Sequence, residues 1–130
     1  MLNDSPATRV DSVLAKLAAA LEKGDIDTAV NLFQVDCYWR DLVAFTWNID
    51  TAEGHAEIRD MLKAQLGAIR PSGFVQDTEW EASETGGVTD GWFAFETKVG
   101  RGVGHVRIRN GLIWTLLTTL TELKGHEEPK

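Results

Sequence analysis

The chain has 130 residues, 43% of them hydrophobic and 25% charged, which fits one globular domain around one core. A net charge of −7 argues against nucleic acid or an anionic membrane surface as partner, because both demand a basic face. No run approaches the roughly 20 apolar residues that span a bilayer, the first residues lack a signal-peptide pattern, and the single Cys37 excludes an internal disulfide, so a cytoplasmic protein is expected.

Ser5-Pro6 reads as a helix start, a capping hydroxyl followed by proline at the first helical position. Val10, Val13, Leu14, Leu17 and Leu21 follow at helical spacing, and Gly24 stops the helix. Asp25 caps a shorter second helix carrying Ile26, Ala29, Val30, Leu32 and Phe33. From about Cys37 to Trp47 aromatic and β-branched residues dominate, which predicts a strand. A third helix runs from Gly54 to about Leu66 and is ended by Gly67 and Pro71-Ser-Gly73. Strands are predicted near Phe74–Ala82, Asp90–Thr97, Val103–Arg109 and Leu112–Leu123, with Asn110-Gly111 as a hairpin turn. The order predicts an α+β domain, three helices against an antiparallel meander, with residues 8–123 as the core and 124–130 as a tail or linker.

Strand alternation sets Trp92, Ala94 and Glu96 against Phe93, Phe95 and Thr97, and Trp114, Leu116, Thr118 and Leu120 against Ile113, Leu117 and Thr119. Both faces are thus partly apolar and both need cover. Helices cover one. A second copy of the chain is the simplest cover for the outer face, so a homodimer is expected.

The helix–helix–strand–helix–meander order resembles the nuclear transport factor 2-like superfamily, which includes ketosteroid isomerases and SnoaL-like polyketide cyclases. Gly24-Asp-Ile through Asp41 carries the most specific part of the likeness, and Gly54-His-Ala-Glu-Ile-Arg59 is similar to that superfamily's glycine-led third helix. The resemblance implies a cone, a curved sheet wrapped around the helices with an apolar cavity of about 300–1,000 Å³ in its mouth. The sequence also resembles, at Tyr38–Asn48 and Ile113–Gly125, the N-terminal region of certain flavin-dependent monooxygenases. The dinucleotide-binding unit of such enzymes has no counterpart here: Gly100-x-Gly102-x-Gly104 lacks the Gly-x-Gly-x-x-Gly spacing, so neither flavin nor nicotinamide is expected to bind. A monooxygenase domain in a longer chain is a possible partner on this resemblance.

Asp41 falls where the isomerases carry their proton-shuttling aspartate, which implies a general base acting beside a carbonyl of a small apolar molecule. The alternative is a carboxylate paired with Arg40 or Arg107, or capping a turn; alternation puts Arg40 on the opposite face. The same resemblance implies that His105 stands where a hydrogen-bond-donating acid belongs, with a partly exposed strand histidine as the alternative. Leu17 occupies the position of the isomerases' oxyanion-donating tyrosine, a loss worth about 10²–10³ in rate. Trp39 and Val43 share Asp41's face and would line a pocket or pack the core. Trp47, Asn48 and Trp92 would rim it. His55 suits a surface role and Cys37 an inert buried thiol. The scattered histidines and lone cysteine show no metal-ligand spacing, and no cofactor is expected. Two function classes therefore stand open: a cofactor-independent enzyme of isomerase, cyclase or dehydratase type, and a non-catalytic ligand-binding or dimerisation module.

Overall fold

The computed structural model describes residues 5–42, 44 and 49–123. Helix α1 (Pro6–Lys23) begins as its sequence dictates: the Ser5 side chain accepts from the Thr8 N–H at 3.2 Å, and Pro6 follows. It ends at Gly24, whose φ of 73° lets its N–H reach back to the Ala20 and Leu21 carbonyls. Val10, Val13, Leu14, Leu17, Ala20 and Leu21 form its buried face. Asp25 caps α2 (Ile26–Asn31) through the Thr28 N–H.

Strand β1 (Phe33–Leu42) begins four residues before the predicted start and pairs antiparallel with β2 (Ile49–Glu53), a strand that composition did not announce. Helix α3 (Gly54–Ile69) runs through Gly67, three residues past the predicted end; it stops where Arg70 turns into the left-handed region and Pro71 follows. The predicted Phe74–Ala82 strand is two pieces, β3 (Ser72–Gln76) and β4 (Ser83–Thr85), because Asp77 breaks the run by accepting from the Glu79 N–H. Strands β5 (Val88–Glu96), β6 (Gly100–Arg109) and β7 (Leu112–Leu123) form the meander, with Asn110-Gly111 at its tight turn, both at positive φ.

The seven strands make one mixed sheet in the order β2-β1-β7-β6-β5-β3, with β4 beside β5. The expected antiparallel pattern holds for every pair except β1–β7, which is parallel; these two strands are joined not by a hairpin but through β2, α3 and the strands β3 to β6. A bulge at Trp114 corrects one expected face: Ile108 pairs Ile113 while Arg107 pairs Thr115, so Ile113 is buried with Leu116 rather than opposite to it.

The curved sheet wraps the helices, and the core lies on its concave face. There the Gly100-x-Gly102-x-Gly104 run finds its reason. Gly104 pairs with Phe93 and Gly102 with Phe95, and each phenylalanine ring lies over the paired glycine where a Cβ would stand. Phe74 stacks on Phe95 at 5.5 Å between ring centroids, and Val10 of α1 sits over Gly91. The glycine spacing serves close packing of a sheet against aromatic rings.

Candidate functional site

Across the sheet from those rings, the concave face turns polar. Trp39 and Asp41 alternate inward on β1, and Thr118 points inward from β7, where it pairs Asp41 in the parallel ladder. All three are sealed, with Asp41 and Thr118 each at 0% exposure. The Trp39 indole N–H donates to Thr118 Oγ1 at 2.9 Å, and the Thr118 hydroxyl donates to Asp41 Oδ1 at 2.6 Å. The Trp39 ring stacks on Phe33 at 5.8 Å, which fixes the donor. A carboxylate withdrawn from water into apolar surroundings is costly unless its lone pairs are met, and this string meets one of them.

The structure does not bring His105 to this site. Gly104 is the β6 residue that pairs Thr118 and shares Asp41's face; His105, one residue on, points to the other side. Its ring lies 4.6 Å from that of Trp92, its cross-strand partner, and it also pairs Leu117 on the outer surface. Burial holds the imidazole below its ordinary range, while Asp90 acts to raise it and Arg107 to lower it. The expectation that His105 donates to a group held by Asp41 is therefore corrected by strand alternation: an odd number of residues separates it from the concave face.

Trp92 is likewise an outer residue, 38% exposed, and lines an outer groove of ≈ 300 Å³ with Asp77, Trp80, Phe93 and Val103. It does not rim the interior of the cone. Leu17 lies at 0% exposure in the core of α1. Val43, Trp47 and Asn48 lie outside the described residues. Tyr38 is on the outer face, out of phase with Asp41 as its position predicts. Cys37 is buried, and burial pushes its thiol up, the state of an inert cysteine. His55 is more than a surface residue: its Nε2 lies 2.9 Å from the Phe33 carbonyl oxygen and ties the start of α3 to the start of β1.

Sequence reasoning placed Asp41 and Trp39 on one face but missed Thr118 as a member of the site. Alternation had put Thr118 among apolar neighbours on β7, and a threonine flanked by leucines was the available signal. A second, larger groove of ≈ 690 Å³ runs between the ends of α1 and α3, bordered by Leu21, Lys23, Leu62, Leu66 and Arg70. Neither groove borders Asp41. Among the described residues no cluster of His, Cys, Asp and Glu is arranged to hold a metal ion, and no helix is long and apolar enough to cross a membrane.

No family model matches the sequence, and no match was found among curated proteins. Solved structures do match in shape. An NTF2-like protein with a cystatin-like fold from Novosphingobium aromaticivorans superposes with a TM-score of 0.68 at 13% identity, over 88% of this chain and 81% of that one. A "putative polyketide cyclase" from Xanthomonas campestris gives 0.67 at 15% identity, over 90% and 93%. A "putative aromatic ring hydroxylase" from Novosphingobium aromaticivorans gives 0.68 at 15%, over 91% of each chain. At these identities the likeness is one of fold, and the fold is the nuclear transport factor 2-like cone.

Proposed function

We propose that this chain binds a small apolar molecule inside the cone and that Asp41 moves a proton on it without a cofactor, as in an isomerase, cyclase or dehydratase. The observation that carries the reading is a fully buried aspartate on the concave face, oriented by a threonine hydroxyl. Enclosed carboxylates are retained where they are used, because their burial is otherwise a net cost. The fold shared with a "putative polyketide cyclase" supports the same class of chemistry. The substrate class we propose is a ring-bearing, ketone-like molecule, because the buried Trp39 and Phe33 rings stack on the same strand as the proposed base. Leu17 carries no donor at the α1 position and His105 lies on the far side of the sheet, so neither of these two supplies an oxyanion donor beside Asp41.

Hydrogen–deuterium exchange at carbon tests this. The two-ring ketone 2-tetralone, incubated with the protein in D2O, should lose its C1 proton signal faster than in buffer, and Asp41→Asn should remove the acceleration. Equal rates for the two proteins would defeat the reading.

A second reading is a non-catalytic module that works beside a flavin-dependent monooxygenase in the cytoplasm, which the fold shared with a "putative aromatic ring hydroxylase" supports. A ligand bound equally well by wild type and Asp41→Asn, with no exchange by either, would favour it. Under both readings we propose a homodimer joined through the outer sheet face. Trp92 and Trp80 stand exposed there, with Leu117 and Val103 beside them. Sedimentation velocity should show a dimer that Trp92→Asp dissociates.

A further inference from the structure

We propose that Thr118 is the positioning residue of Asp41, and that the Trp39 indole sets the direction in which it works. This rests on the reading of Asp41 as a base. An indole nitrogen carries one proton and accepts none, so Trp39 must donate and Thr118 Oγ1 must accept. The threonine's own single proton is then left for Asp41 Oδ1, at 2.6 Å. The order of the string is fixed at its far end by a group that cannot reverse.

Two consequences follow for the chemistry. The carboxylate is held between two strands, with Trp39 and Asp41 on β1 and Thr118 on β7, so its plane is set by the sheet rather than by its own rotamer alone. Oδ1 is held as the acceptor of the Thr118 proton while the carboxylate takes a proton from a ligand. In that step the C–H bond beside the carbonyl breaks, its electron pair enters the enolate, and the proton passes to the Asp41 carboxylate. The reverse transfer to carbon, after exchange with solvent, completes a neutral cycle.

The test uses the full chain and 2-tetralone exchange in D2O, with wild type, Asp41→Asn, Thr118→Val, Thr118→Ser and Trp39→Phe. Thr118→Val keeps the side-chain shape without the hydroxyl. It should lower kcat, by up to about 100-fold for a misplaced base, with KM little changed. Thr118→Ser should recover most of the rate. Trp39→Phe, which releases the threonine's proton to point elsewhere, should fall between. A Thr118→Val protein with wild-type kcat overturns the positioning role, and if Asp41→Asn is inactive in the same assay the base reading still stands. Wild-type exchange no faster than Asp41→Asn defeats the base reading and this inference with it. Should Thr118→Val not fold, Thr118→Ala and Trp39→Phe decide: losses in both with Thr118→Ser active support the role, and full rates in both overturn it.

Discussion

The concave face of this sheet has two halves that meet between β6 and β7, where Gly104 pairs Thr118. On the β5–β6 side, glycines lie flat beneath Phe93 and Phe95, and Phe74 closes over them. On the β1–β7 side, the residues at equivalent depth are a tryptophan, a threonine and an aspartate joined by hydrogen bonds. The first half gains stability from ring packing, its Thr89 and Thr97 hydroxyls lying at the ends of β5 and bonded to Arg9 and to the Gly100 backbone. The second gives up apolar contact for a polar string, a choice that burial makes expensive. The contrast separates two kinds of interior on one face: the glycine half packs rings, and the threonine half holds a buried carboxylate.

Breaking the packed half should have the larger effect on stability. Phe93→Ala removes a fully buried ring that touches Phe74 and Phe95, and should cost about 3–5 kcal/mol in denaturant unfolding. Gly104→Ala should follow at about 1–3 kcal/mol, since the added Cβ would stand 2.2 Å from the Phe93 ring and 2.5 Å from the Leu117 carbonyl, and the backbone cannot retreat as a side chain can. Its activity toward a carbon acid should fall less than its stability if the two halves are separate. Thr118→Val should cost roughly 1–3 kcal/mol, the penalty of removing a buried hydroxyl that bonds both the Trp39 indole N–H and Asp41 Oδ1. Thr118→Ser should recover most of it. A calorimetric Tm for Thr118→Val equal to wild type would show that the polar string carries no structural load.

The outer face supplies the smallest and most specific effect. His105 is held low by burial, so the unfolded chain takes up a proton before the folded one as pH falls through about 6.5. Stability that is complete above that pH is then lost progressively below it. His105→Gln should flatten this part of the pH–stability curve while leaving the neutral-pH exchange rate of the concave site unchanged. A loss of exchange in that variant would mean that the two faces are coupled through β6.

Much of this molecule was legible locally. The caps of α1 and α2, the hairpin at Asn110-Gly111 and the full extent of β7 depend on residues a few positions apart, where short-range chemistry decides. The α+β order and the inward position of Asp41 and Trp39 followed from periodicity and from resemblance. Strand β2 escaped because Ile49–Glu53 has little β character of its own and is a strand through its pairing with β1. The Trp114 bulge escaped because one extra residue leaves no mark on composition yet moves Ile113 to the other face.

By itself the sequence determined the three helices, the strands β1 and β5 to β7 in their order, and the side of β1 on which the carboxylate lies, because those rest on backbone preference and a period of two. Only the tertiary structure decided who Asp41's partners are. Thr118 lies 77 residues away and meets it through a parallel pairing that no local pattern encodes. The same register, advanced by one residue, sends His105 to the opposite face. A strand can announce which of its side chains go inward, but which strand lies beside it is settled by the packing of the whole chain.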